Sequence, residues 1–448
     1  MSQIPIPKSQ FPLFSYFWSN ICCMSVMDYR KMLFLLSLLL TATVQATTVW
    51  ENKVNVSFIK TVQLFPKGLD MAMPVLTLNS PETLELHFDD ISGEPRSYYY
   101  TVVQCNSNWT PTTMNVMEYV DGFTEANIND YEYSEGTKQS YIHYTLEFPN
   151  MDMRINKSGN YILLVYDRDK DKPLFSRRFM ITEAKVQVQA GVAYPRNFAA
   201  RDQFQEVVFK VNHKGFPIDY PQMEIKATVL QNYRWDHAKV DIRPLLSGMN
   251  ELNFDFTGTL TFPTAGREFR FFDLRSLRFR GQNIRAFDIR DASNEVFLLY
   301  DKPQKRDNYQ LIKDLNGQYY IDNLDNPYYN SAADYAYVHF NLDVNGKIPN
   351  GNFYVLGAFN DWRYDESCKM TFDVLDQTYT TTQFLKQGWY NYTYIFKPDD
   401  GPPDPFFTEG YFMDTENDYT ILLYYTPFGE RYDRLIAVKH INSLMNRY

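Results

Sequence analysis

The residues of this chain with the chemistry to act on a substrate are its paired acids, its histidines, its thiols and one arginine-rich run. Asp89-Asp90 and Asp399-Asp400 are pairs that would suggest glycoside hydrolysis, which sets two carboxylates on either side of one bond. Neighbouring strand residues point to opposite faces, so adjacent acids do not make such a pair, and solvated turn acids are expected instead. His87, His143, His213, His237, His339 and His440 are scattered, with no HExxH and no paired CxxC to gather metal ligands. Asp167, Asp169 and Asp171 alternate as Ca²⁺ ligands do, but Arg168, Lys170 and Lys172 interrupt them, which reads as a charged hairpin tip. A GxSxG nucleophile elbow and a Gly-rich phosphate loop are both missing from the sequence. No catalytic residue, metal ligand or cofactor site is therefore assigned, and a non-enzymatic chain is expected.

Between Arg267 and Arg290 the arginines interleave with Phe269, Phe271, Phe272 and Phe279. Solvated faces of alternating strands explain this run better than a site for an anionic partner. The formal net charge of -10 argues against nucleic acid, whose phosphates demand a clustered basic footprint.

Other elements must carry a function of binding. The 448 residues are 44% hydrophobic and 22% charged, enough for several domains with their own cores, and they include 35 Tyr and 34 Phe. Tyr98 to Phe148 is especially dense in aromatics while holding no assembled catalytic set, which favours a binding surface over turnover. Short runs of period-two alternation recur between turn residues, as in Leu84 to Phe88, Tyr141 to Phe148 and Tyr161 to Tyr166. Long helical patterns do not occur. The expected fold is all-β, with tandem immunoglobulin-like β-sandwich domains.

The boundaries follow from where the runs group. Residues 1–26 read as a non-native upstream extension, and 27–46 as a signal peptide: Arg30 and Lys31 precede the apolar Met32 to Leu40, and Val44-Gln45-Ala46 ends it. The apolar run is too short to span a bilayer. No Cys follows the cleavage point, so no lipid anchor is expected. Residues 47–182 form an N-terminal sandwich, 183–300 a middle sandwich, 301–333 a connector with an Asn316-Gly317 hairpin, and 334–448 a C-terminal immunoglobulin-like sandwich. Losing the leader removes Cys22 and Cys23 and leaves Cys105 and Cys368, expected as separate buried thiols rather than a disulfide.

Gly357-Ala358-Phe359-Asn360-Asp361-Trp362 is similar to the GxFNxW signature of starch-binding and glycogen-binding (early-set) domains. In such a turn Phe359 and Trp362 are expected as core anchors rather than sugar-stacking residues.

A second resemblance covers nearly all of the mature chain. Cys105 to Pro111 (CNSNWTP), Glu118 to Phe123 (EYVDGF), Asp130 to Ser134 (DYEYS), Phe148-Pro149-Asn150 and Ser158 to Tyr161 (SGNY) open the ordered series. Thr228 to Trp235 (TVLQNYRW), Phe269 to Ser276 (FRFFDLRS), Gly357 to Trp362, Leu385 to Tyr390 (LKQGWY) and Tyr432 to Ile436 (YDRLI) continue it. In this order the motifs resemble the plug protein family of the bacterial type IX secretion system. The resemblance implies a periplasmic protein, held at the outer membrane by protein partners, that plugs the periplasmic opening of a very large β-barrel translocon when no substrate is present. It assigns no partner-binding residue, and Trp109, Trp235 and Trp362 are expected as core positions. The main rival is a periplasmic or surface glycan-binding protein using the C-terminal domain. A lesser one is an outer-membrane barrel, against which the polar connector and the turns weigh.

Overall fold

The structure is a computed structural model that describes residues 49–447, apart from 255–257, 259, 265, 267, 305–308, 310 and 327–329. The extension, the leader, Cys22 and Cys23 lie outside the described residues. Val49 onward forms a compact unit of strands, and the architecture is all-β.

The first sandwich has one sheet in the order Lys53–Val54, Phe175–Thr182, Gly159–Tyr166, Tyr98–Cys105 and Ala126–Ile128, with Val75–Thr77 added in parallel beside Phe175–Thr182. The facing sheet runs Ile59–Pro66, Leu84–Asp90, Ile142–Phe148 and Asp130–Tyr133. Alternation sets its interior: Leu84, Leu86 and Phe88 point inward with Ile142, Tyr144, Leu146 and Phe148. Gly159–Tyr166 is buried along its whole length because it has apolar neighbours on both faces. Tyr161, Leu163 and Val165 fill the first core, whereas Ile162 and Leu164 turn to a second apolar layer with Leu230, Leu422 and Tyr424.

That second layer belongs to the middle sandwich. Its sheet Arg234–Ile242, Ile225–Gln231, Asp418–Tyr425 and Arg434–Asn442 packs against the first sandwich on one face. On the other face it packs against a sheet built on Gln187–Ala193 and Phe204–Asn212. The third sandwich pairs Arg270–Asp273, Gly388–Pro398, Tyr319–Ile321 and Gly351–Leu356 in one sheet. Its other sheet is Ile284–Ile289, Asn294–Leu298, Tyr335–Leu342, Thr378–Lys386 and Thr371–Asp373.

Strand pairing therefore corrects the linear partition at 183–300 and 334–448. Asp418–Tyr425, expected in the third domain, pairs along its length with Ile225–Gln231 and completes the middle sandwich. Arg270–Asp273, Ile284–Ile289 and Asn294–Leu298, expected in the middle domain, belong to the third. The third sandwich is thus inserted within the second. Local alternation identifies strands but not the partner a strand reaches across some two hundred residues.

The connector 301–333 is also not an independent hairpin. Asn316 and Gly317 do adopt left-handed conformations, φ 50 and 81. Tyr319–Ile321 then pairs with Gly388–Pro398, and no strand forms at Leu311-Ile312. Gly317 is required here for space as well as for φ: a Cβ would lie 2.6 Å from the Trp362 ring. Gly317→Ala is expected to cost about 2 kcal/mol or more from left-handed strain and overpacking, read as a lowered midpoint in chemical denaturation.

Candidate functional site

The strand Leu84–Asp90 ends in two carboxylates, and the structure overturns the expectation that they are solvated: Asp89 and Asp90 are both fully buried. Asp399 and Asp400 are exposed, as expected. Alternation does send Asp89 to the outer face of its sheet, but the inserted sandwich covers that face. Asp89 accepts from Lys386 Nζ at 2.7 Å, from the Tyr335 hydroxyl at 2.6 Å and from His143 Nδ1 at 2.6 Å. Lys386 is 2% exposed and lies 4.1 Å from the centre of the Tyr141 ring. Thr61 reaches the Tyr335 hydroxyl at 2.7 Å, and His87 meets His143 at 3.1 Å. Burial opposes ionisation of Asp89, but the Lys386 ammonium and the His143 hydrogen bond outweigh it and hold the carboxyl at about 2. Burial also pushes the His87 imidazole down to about 4, with His143 and Lys386 acting in the same direction. Asp90 is satisfied within its own sandwich by the Tyr98 hydroxyl at 2.6 Å and Ser92 N at 2.8 Å.

A second seam joins the first sandwich to the middle one. The turn Asn106–Trp109 places Trp109 in the left-handed region, φ 64, and buries it beside Trp235, ring centres 4.9 Å apart. The Arg178 guanidinium lies 4.4 Å from one indole and 4.8 Å from the other, and donates to the Trp50 carbonyl. Asp433 accepts from Ser107 N at 2.8 Å and pairs with Lys226 at 2.8 Å. A third seam joins the middle sandwich to the inserted one. There the Arg234 guanidinium lies 4.1 Å over the Trp362 ring and pairs with Asp236 at 2.7 Å.

The three sandwiches meet around a cleft of about 540 Å³ lined by Arg177, Arg178, Trp235, Tyr319, Trp362 and Arg363, among others. Arg177 faces Asp361 at 3.3 Å, and Arg363 faces Glu51 at 2.7 Å and Asp365 at 3.1 Å, while Arg178 is held by the Trp50 carbonyl and the two indoles. Such a cleft holds domains in register rather than presenting a free charge to a substrate.

The sequence candidates fall out as follows. Of the histidines, His87 and His143 come together, while His339 pairs with Glu295 at 2.8 Å. Among the described residues no group of three His, Cys, Asp or Glu could hold a metal ion. Asp169 caps its own turn, accepting from Asp171 N at 3.0 Å. Arg267 lies outside the described residues. Arg270 departs from the solvated-face expectation: it is drawn inward by Glu409 at 2.9 Å and Asp301 at 2.7 Å. Cys105 and Cys368 are free and buried, and burial pushes the Cys105 thiol up to about 12. Trp109 and Trp362 are buried anchors, and Phe359 packs on Tyr390. Phe359 and Trp362 pack within the third sandwich, as expected of core anchors, with Arg234 of the middle sandwich over the Trp362 ring, whereas Trp109 lies in the layer between the first sandwich and the middle one. No local spacing announces the roles of Lys386, Tyr335 and Arg178, because each makes its contact across domains.

Residues 59–183 match the family described as Type 9 secretion system plug protein 1st domain. The match coincides with the first sandwich after its opening strand. A crystal structure of a hypothetical protein from Parabacteroides merdae is similar over the whole inserted architecture, with 33% identity and a TM-score of 0.84, covering 88% of this chain and 100% of that one. The chain belongs to the type 9 secretion system plug protein family. Comparison with curated proteins finds no match. Family membership associates the chain with type 9 secretion. The quoted motifs CNSNW, SGN, QNYRW, GAFNDW and YDRL supply Trp109, Asn160, Arg234, Trp235, Trp362 and Asp433, all in contacts at the seams.

Breaking the buried pair tests its role. Lys386→Met leaves Asp89 buried without its cation and is expected to cost about 3–5 kcal/mol, whereas Asp89→Asn/Lys386→Met together should cost less than the sum of the single changes in a denaturation cycle. The pH dependence has a definite sign. His87 is depressed from 6.5, so its contribution is complete above that pH and is lost as pH falls toward 4; Asp89 follows below 3.8. Wild-type stability is expected to fall by up to about 1 kcal/mol per pH unit through the histidine window, a slope that His87→Phe reduces in pH-dependent denaturation.

Proposed function

We propose that this chain is a non-enzymatic periplasmic component of type 9 secretion that occupies the periplasmic opening of the outer-membrane translocon barrel when no substrate is present. The observation that carries this reading is the plug-family match over the first sandwich. The geometry supports it. A wide aqueous barrel leaks unless a body that does not deform fills its mouth. Here the sandwiches are joined by a buried ion pair and cation–aromatic stacks, which resist relative sliding. A non-enzymatic role is supported by how the acids are used, since Asp89 and Asp433 are committed to lysines. Trp362 is 7% exposed and covered by Arg234 and Phe269, so its own ring offers no stacking face to a sugar. Arrival of a secreted protein would displace the plug.

The test is a detergent pull-down from outer membranes with the tagged full chain, with secretion active and with substrate supply blocked. A large β-barrel protein is expected to co-purify, and in greater yield when substrate is absent. Recovery of no large barrel in either state, or constant recovery during active secretion, overturns the reading.

A further inference from the structure

The strand Asp130–Tyr133 closes one end of its sheet and pairs there only with Ile142–Phe148. All four of its residues are exposed. Its register sets Tyr131 opposite Tyr144 and Tyr133 opposite Ile142. Tyr144 and Ile142 face the core, so both tyrosines lie on the inner face of the sheet, yet Tyr131 is 48% and Tyr133 59% exposed. The sheet therefore extends past the layer that covers it. Asp130 and Glu132 take the outer face, beside Thr145 and His143. The preceding strand, Ala126–Ile128, belongs to the opposite sheet, so the chain crosses the open lip of the sandwich at this point.

The lip is held in place. Beyond the strand, Ser134 N bonds to the Tyr141 carbonyl at 2.9 Å and Glu135 N to the Ser331 carbonyl at 3.1 Å. Asp334 of the inserted sandwich accepts from Lys138 N at 2.9 Å and Gln139 N at 3.2 Å. An ordered edge with unpaired peptide groups is a template for another strand; this one is short and carries Asp130 and Glu132, features that turn away strands in general and leave it open to one whose charges match. Among the described residues no other strand pairs with this outer edge.

We propose that the Asp130–Tyr133 edge accepts an extended segment of a partner protein by strand addition, with apolar side chains against Tyr131 and Tyr133 and Lys or Arg at the alternate positions against Asp130 and Glu132. Peptide groups supply affinity, and the two faces supply selection, because a strand alternates its side chains. Charge complementarity chooses the occupant. A basic segment matches the acids of this edge and the chain's net charge of -10. A second copy of the same edge would set Asp130 and Glu132 against their own kind, which is unfavourable across strands. The proposal goes beyond plugging and does not depend on it.

The test is fluorescence anisotropy with the full chain and labelled heptapeptides alternating Lys with Val, Glu with Val, and Lys with Pro. The Lys–Val peptide is expected to bind tighter by on the order of tenfold than either control, because only it combines a pairing backbone with the matching charge. It should also slow amide hydrogen exchange across Asp130–Tyr133. Glu132→Lys changes an exposed side chain and is expected to shift preference toward the Glu–Val peptide with the thermal midpoint retained. Equal binding of Lys–Val and Lys–Pro reduces the effect to charge alone and overturns the proposal. So does unchanged exchange at the edge, unchanged preference in Glu132→Lys, or dimerisation through this strand in place of peptide binding.

Discussion

A carboxylate and an ammonium held out of water at 2.7 Å constrain everything around them. Asp89 lies in the first sandwich and Lys386 in the inserted one, so neither charge is compensated unless the two bodies are docked in one orientation. Apolar contact tolerates sliding, whereas an ion pair with directed hydrogen bonds from Tyr335 and His143 does not. Desolvation makes such pairs poor sources of net stability, and their value lies in specifying geometry. The Arg178 stack between Trp109 and Trp235, and Arg234 over Trp362, apply the same device at the other seams.

Several residues of the quoted motifs serve the joints between sandwiches. Asn160 illustrates the point: its side chain reaches the Asn106 carbonyl at 3.2 Å and accepts from the Tyr424 hydroxyl at 2.9 Å, linking strands of two sandwiches. Side chains that bridge sandwiches in this way fix the mutual placement of the domains.

Much of the fold was legible in local pattern. Alternation in Leu84 to Phe88 and Ile142 to Phe148 located strands and their inward faces, and the turn residues Asn316-Gly317 did adopt left-handed geometry. Burial of the aromatic anchors was also legible, since Trp109 and Trp362 are too large and apolar to leave in water. The fate of Asp89 was not. A strand's outer face reads as solvated unless another domain covers it, and the covering strand lies almost three hundred residues away. The same distance hid the partition of strands: Asp418–Tyr425 has an ordinary alternating sequence, and nothing in it names Ile225–Gln231 as its neighbour.

The interrupted middle sandwich has a consequence for biogenesis. Ile225–Gln231 gains a neighbour on one side from Arg234–Ile242, but its other side stays open until Asp418–Tyr425 arrives. A chain that emerges from its N-terminus can complete the first sandwich early and the inserted one next, while the middle one waits with its apolar layer uncovered. Almost the entire polypeptide must therefore be available before folding finishes. In that interval the open side of Ile225–Gln231 is a place where wrong strand pairing can begin.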